Sequence, residues 1–248
     1  MQRGILIAEG KTKQIYAHPS DADLAIIVSK DDITAGDGAR RNVIAGKGLI
    51  SGRTTANNFA LLTRAHIASH FVAHGDSDDT MVVRRCTMIP LEVVTRRIAT
   101  GSYLKRHPHV AEGQRFDPLI TEFFFKDDAN HDPLMSVDEL ISAKIADAAT
   151  LTTMTTLAQK VFSVLENAWQ AHDVTLVDLK IEFGRTSTGQ LVVADVIDND
   201  SWRLWQGGTS SNMLDKQIYR NMREVTPEGL ERLRQTYLTV MQLTDQWR

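Results

Sequence analysis

Through residues 177–200, VDLKIEFGRTSTGQLVVADVIDND, apolar and polar positions alternate on both sides of a Thr188-Gly189 pair. The alternation predicts two strands, with Leu179, Ile181 and Phe183 facing a core and Lys180 and Glu182 facing away from it. If the Thr-Gly pair forms a two-residue hairpin loop, Ser187 faces Gln190 and Glu182 lies directly opposite Asp195. Opposed carboxylates repel. A cation between them would relieve the repulsion. An all-oxygen pair suits magnesium carried with a phosphate-bearing substrate, and Lys180 beside it adds a positive group. A register one residue out would instead leave two ordinary solvated carboxylates on an edge hairpin.

Shorter runs predict strands over residues 5–8, 14–17 and 24–29, and again over 81–83 and 91–94. Residues 57–71 carry Phe59, Leu62, Ala65, Ile67 and Phe71 at three- and four-residue steps, which predicts a helix. Three more helices follow. One covers 138–146, opened by a capping box from Ser136 to Glu139; another covers 155–171, with Leu157, Val161, Leu165 and Ala168 on one stripe. The last covers 227–243, with Thr226 as cap and Pro227 in the first position; Leu230, Leu233, Tyr237 and Val240 form its apolar face. A boundary near Pro90 divides the chain into a β-rich lobe, 1–90, and a larger α+β lobe, 91–248.

Composition narrows the class. At 248 residues with 42% hydrophobic and 24% charged residues, the chain can bury a substantial core as a soluble globular protein. A formal charge of −3 supplies no global basic field for nucleic acid or a membrane. A single cysteine, Cys86, excludes an intrachain disulfide and a Cys-rich zinc module, and fits a small buried hydrophobe in a reducing compartment. The N-terminal apolar run is too short for a signal peptide and no segment approaches a membrane span, so a cytoplasmic location is expected.

Several short motifs have phosphate chemistry in them. Gly10-Lys11-Thr12-Lys13 sits between two predicted strands, where a glycine turn could bring backbone amides and two ammonium groups to a polyphosphate, or could simply turn a hairpin. In Arg96-Arg97-Ile98-Ala99-Thr100-Gly101-Ser102, Ser102 is placed to cap a short helix whose amides and nearby arginines would hold a dianionic phosphate; a solvated basic surface is the alternative. Arg203 lies between Trp202 and Trp205, indoles that could hold a guanidinium rigidly or belong to an aromatic core. Polar loops at 29–40 and 126–132 lack the EF-hand spacing. His66, His70 and His74 would stack on one helix face, as zinc ligands or as a titrating surface stripe.

The ordered segments EGKTKQIY, SKDDITAGDGAR, RRIATGSYLKR, FFFKDDANHDPLMS, VDLKIEFG and ADVIDNDSWRLW together resemble the SAICAR synthetase family, phosphoribosylaminoimidazole-succinocarboxamide synthases. RRIATGS and IDNDSWRLW are closer in wording to the synthetase domain of the animal bifunctional enzyme, whose carboxylase domain has no counterpart after the final helix, so a monofunctional protein is expected.

The resemblance implies an α+β fold: a small antiparallel nucleotide-binding lobe on a larger ATP-grasp-like lobe, with ATP between them. It implies ATP-dependent joining of L-aspartate to carboxyaminoimidazole ribonucleotide, with Mg2+, and no nucleic-acid or membrane partner. Oligomeric state stays open, a homo-oligomer included. By motif position, Gly10, Lys11, Thr12 and Lys13 would grip the phosphates and Met88 would line the adenine pocket. Lys180, Glu182 and Asp195 would organise nucleotide and metal. Arg96, Ser102 and Arg203 would hold the ribonucleotide phosphate and Asp37 its imidazole end, while Lys126 and Asp128 would belong to a loop near nucleotide and aspartate. In the catalytic role the resemblance points to Lys13, Asp37, Lys126, Asp128 and Lys180. A small-molecule or protein kinase would share the lobed ATP site, yet no HRD or DFG-like pair is present. An RNA-binding module would rest on the basic run 84–106, against the acidic net charge and the missing aromatic RNP pattern.

Overall fold

The computed structural model describes residues 1–36 and 38–247. Alternating and apolar runs near the N-terminus form strands β1 (Leu6–Glu9), β2 (Lys13–Ala17) and β3 (Leu24–Ser29). A small hairpin, β4 (Asp32–Ala35) with β5 (Arg40–Val43), leads into helix α1 (Lys47–Arg64). The chain returns through β6 (Phe71–His74) and β7 (Thr80–Arg84) to complete an antiparallel sheet of order β1-β2-β3-β7-β6. Ala25 to Val28 of β3 are all buried, because α1 packs across this central strand.

Helix α1 differs from the expected 57–71 at both ends. It starts at Lys47, in a stretch whose buried side chains are mostly polar (Ser51, Thr54, Thr55, Asn57 and Asn58), so that buried Ile50 and Ala56 make too sparse an apolar period to read. It stops at Arg64, where His66 takes a positive φ of 54° and the amides of His66 and Ile67 bond back to Thr63 and Leu62. Phe71, expected as the last helical residue, lies in β6.

The second sheet begins with β8 (Cys86–Ile98), so the chain passes between sheets at Arg84–Cys86 and Pro90 lies inside a strand. After the short helix α2 (Ser102–Arg106) come β9 (Arg115–Phe125) and β10 (Leu134–Met135). Helix α3 (Val137–Ser142) opens on the expected capping box, with both Ser136–Glu139 bonds formed. Helix α4 (Ala148–Gln170) starts seven residues before the expected position 155, because the Asp147 carboxylate caps it by accepting from the Thr150 amide at 2.7 Å. Then follow β11 (Val174–Thr186), β12 (Leu191–Ala194), β13 (Trp202–Gln206), α5 (Gln217–Asn221) and α6 (Pro227–Asp245). The sheet order is β10-β9-β8-β11-β12, with β13 also paired to β11.

Strand β11 organises this half of the molecule. Leu179, Ile181 and Phe183 join Val161, Phe162 and Leu165 of α4 in the main hydrophobic core, as the alternation requires. Its other face carries Asp178, Lys180 and Glu182 toward a cavity of about 1180 Å3 between the two sheets. The sheets are joined where the His70 amide donates to the Val193 carbonyl (2.9 Å) and the Val193 amide to Ala68 (3.1 Å). Helix α6, with Thr226 capping it from the Gly229 amide, packs back on α1 through Asn57–Thr244 (2.9 Å) and Arg53–Asp245 (2.7 Å) bonds. Among the described residues no helix is long and apolar enough to cross a membrane.

Candidate active site

The β11–β12 hairpin closes with three loop residues, not two. The Thr186 amide donates to the Gln190 carbonyl (3.0 Å) and the Gly189 amide to the Thr186 carbonyl (2.9 Å), with Gly189 at φ 81°. Gly189 supplies the left-handed residue that ends a three-residue loop. Glu182 therefore faces Ala194, and the expected Glu182–Asp195 pairing is one residue out. The slip does not solvate the carboxylates, which are 4% and 8% exposed. Asp195 departs from extended backbone with φ 68°, which breaks the alternation and leaves its side chain on the cavity side. There the carboxylate pairs with Lys13 and lies 3.7 Å from Lys180 Nζ.

Lys180 Nζ is the centre of this cluster, 2.9 Å from Glu182, 3.5 Å from Glu92 and 3.7 Å from Asp195. Lys126 Nζ donates to both oxygens of Glu182, at 2.9 and 2.8 Å. Burial alone would lower the Lys180 ammonium, but Glu182, Glu92 and Asp195 outweigh it and hold Lys180 well above the usual lysine range. Burial likewise pushes Asp195 up, and the charges of Lys13 and Lys180 reverse this, holding its carboxyl well below the usual carboxylate range. Gly10 to Lys13 form the turn between β1 and β2, with Gly10 N bonded to Lys13 O at 2.9 Å, and line the same cavity. Met88 lines it beside Ile15, Ala25, Ile27 and Val83. Gly184 makes room for that side chain: a Cβ there would lie 3.2 Å from Met88 Sδ and 2.6 Å from Cys86 Cβ.

At the other end of the cavity, Arg96, Asp178 and Arg203 stand in one row across β8, β11 and β13, each arginine in register with the aspartate. Asp178 accepts from Arg96 Nη1 at 2.8 Å and from Arg203; Glu122 accepts from Arg96 Nε at 2.6 Å and from Arg106. Ser102 does not cap α2. The cap position is Gly101, at φ 60°, where a Cβ would come within 2.6 Å of Arg203 Nη2, so only glycine leaves room for that guanidinium. Ser102 is the first helical residue, exposed in the cavity wall. Of the two readings of this stretch the aromatic core is the one found: Trp202 packs edge-on against Trp169 in the core, and a carboxylate, not an indole, holds the Arg203 guanidinium.

His70 is a site residue that helical spacing misread. Because α1 ends at Arg64, the three histidines diverge: His66 turns the chain, His74 joins β6, and His70 is buried against Phe59. Its ring hydrogen-bonds the Asp195 backbone, and burial lowers it to about 4, which keeps it neutral. Asp178, by contrast, was readable from the period that selects Lys180 and Glu182. Glu92, Glu122 and Arg106 carry no local signal; only strand pairing brings them in. Asp37 and the Asp128 side chain lie outside the described residues. Among the described residues no group of three or more His, Cys, Asp or Glu gathers to hold a metal, in the polar loops or elsewhere.

Two antiparallel sheets enclosing a cavity with a lysine–carboxylate cluster on its wall and an arginine cluster at its far end make the kind of site that takes anionic, phosphate-bearing substrates. The SAICAR synthetase family model matches residues 6–236, and the chain belongs to that family. It is 61% identical to phosphoribosylaminoimidazole-succinocarboxamide synthase of Roseiflexus sp. (strain RS-1), over 100% of this chain and 99% of that protein. The crystal structure of the synthase of that name from Ehrlichia chaffeensis superposes with a TM-score of 0.87 at 29% identity, covering 97% of this chain and 98% of the other. A type-2 SAICAR synthetase in complex with ADP gives a TM-score of 0.83 at 30% identity, covering 95% and 98%. The family is one of ligases, which sets aside the kinase alternative.

Proposed function

We propose that this chain joins L-aspartate to carboxyaminoimidazole ribonucleotide at the expense of ATP, forming SAICAR, ADP and phosphate in purine biosynthesis. The reading is carried by one cavity in which the lysine–carboxylate cluster of β11 and β12 separates the Gly10–Lys13 turn from the Arg96–Asp178–Arg203 row. A carboxylate is a poor acyl donor. Transfer of the γ-phosphoryl group to one of its oxygens breaks the bond to ADP and creates an acyl phosphate. The aspartate amine then bonds to the acyl carbon, phosphate departs with the electron pair, and the nitrogen releases a proton. Such chemistry needs positioning and cationic clamps more than an acid or base.

In this scheme Gly10, Lys11, Thr12 and Lys13 hold the nucleotide phosphates and Met88 borders the base, which residues 1–90 chiefly bind. Residues 91–248 complete the site: Lys126 and Lys180 stabilise the transferring group, and Arg96, Ser102 and Arg203 hold the ribonucleotide phosphate. Asp37 and Asp128 complete the set, at the imidazole end and near the nucleotide. Glu182 and Asp195 would be the oxygen donors for magnesium on the cavity wall, and the ion would share them with Lys180, Lys126 and Lys13, whose ammonium groups neutralise them here. Magnesium, when bound, neutralises phosphate charge. The related structure in complex with ADP supports the nucleotide assignment. The test is ADP release with both substrates, and with each omitted. ADP formation only when both are present is expected; release independent of aspartate would overturn the ligase reading.

A further inference from the structure

His70 has no part in the proposed chemistry, yet it is buried, at 3% exposure, where the two sheets meet. Ser69 and Val193 form a single parallel bridge between the chain leading into β6 and strand β12, with the His70 amide donating to Val193 (2.9 Å) and the Val193 amide to Ala68 (3.1 Å). A continued parallel ladder would next bond the Asp195 amide to the His70 carbonyl and the Val72 amide to the Asp195 carbonyl. It does not continue. The His70 carbonyl accepts from the Arg84 amide at 2.6 Å, and β6 pairs with β7. Asp195, one residue past the last β12 pair of Ala194 with Glu182, turns left-handed at φ 68°.

The imidazole takes the place of that missing amide. It hydrogen-bonds the Asp195 backbone, and since Nε2 is buried with no partner among the described residues, the bond runs from Nδ1–H to the carbonyl. Phe59 of α1 holds the ring, with centroids 5.1 Å apart at 58°, and Phe59 stacks in turn on Phe71 at 5.8 Å. Packing thus fixes the donor before any substrate arrives. The side chain of the same aspartate pairs with Lys13 and lies 3.7 Å from Lys180 Nζ. A buried carbonyl is penalised when it loses its donor, so without the imidazole the Asp195 peptide would relax toward extended backbone and carry the carboxylate away from the lysines.

We infer that His70 is a positioning residue: its Nδ1–H fixes the Asp195 carbonyl, and with it the left-handed turn that aims the Asp195 carboxylate at Lys13 and Lys180. The inference rests on the ligase reading for its effect on turnover, whereas the turn at Asp195 is testable without it. His70 acts through Asp195 and carries no proton in the chemistry.

The test compares three variants of the complete protein: His70→Leu, close in volume; His70→Phe, which keeps a ring against Phe59; and His70→Asn, whose side-chain amide can place a donor where Nδ1–H stands. Crystal structures read φ at residue 195, and steady-state kinetics read kcat and KM for all three substrates. In the Leu and Phe variants φ should become negative and kcat should fall about tenfold or more, the scale of one buried carbonyl left without its donor, with KM for the ribonucleotide unchanged. Asn should keep the positive φ and recover most of the turnover. Added to Asp195→Asn, His70→Leu should cost little further turnover, because the carboxylate it positions is already gone. A positive φ retained without the donor, or an additive loss in the double variant, overturns the positioning role. One folded variant of Leu and Phe suffices; if neither folds while Asn does, the donor serves the fold and the role falls. Absence of aspartate-dependent ADP release in the unaltered protein would instead remove the ligase reading and leave the φ measurement standing.

Discussion

Asp195 holds a left-handed backbone, φ 68°, which costs a non-glycine residue on the order of 1 kcal/mol and persists only where its surroundings over-determine it. Its carboxylate is gripped by Lys13 and faces Lys180, and its backbone is bonded to the buried ring of His70. The strain thus serves the site: a residue that continued the strand would turn its carboxylate away from Lys180 and Glu182. Replacing Asp195 by Asn keeps the shape and removes the charge. Turnover should fall by about a hundredfold or more, while the circular dichroism spectrum stays that of the folded protein. Near-normal turnover in Asp195→Asn would exclude a role for the carboxylate in nucleotide or metal handling.

At the scale of elements, legibility followed how local each cause is. Strand β3 spans 24–29 as the apolar run predicts, and α6 begins where Thr226 and Pro227 mark it. The first half of α1 was invisible because it buries polar side chains, and the β11 register failed because a Thr-Gly pair fits two- and three-residue loops alike. The Asp178-centred row needs three strands from distant parts of the chain to meet, which no local pattern states. Asp215 is of this second kind. Its carboxylate accepts from the Leu204 amide of β13 (2.8 Å) and the Gln217 amide of α5 (2.7 Å), and burial pushes it up to about 6. The folded carboxyl therefore keeps its proton at pH values where the unfolded one, near 3.8, has ionised. Raising the pH from about 4 to about 6 should remove up to about 3 kcal/mol of stability through this group, with no further loss above that window. Asp215→Asn should lack that part of the slope. Thermal midpoints measured across the window for both proteins check it, and parallel curves would show that Asp215 does not titrate there.

At the scale of the molecule, the two sheets share one cavity, and elements late in the chain stabilise those early in it. Arg53 and Asn57 of α1 reach Asp245 and Thr244 of α6, while buried Lys47 of α1 is held near Asp200, between β12 and β13. The N-terminal part of the chain therefore shares much of its packing with later elements: Ile33, Ile44 and Ile50 cluster with Tyr219, Leu233 and Tyr237, and Phe59, Leu62 and Ile67 join the main core, while Ala25, Ile27, Met81 and Val83 cluster within the first sheet. Thermal unfolding should accordingly be one cooperative transition in calorimetry, with equal calorimetric and van't Hoff enthalpies. If magnesium and ADP bind between the sheets as proposed, they should raise that single midpoint, since a ligand at a hundred times its dissociation constant adds about 2.7 kcal/mol. Two resolved transitions, with only one of them shifted by nucleotide, would show that the lobes fold separately and that α6 is not what secures α1.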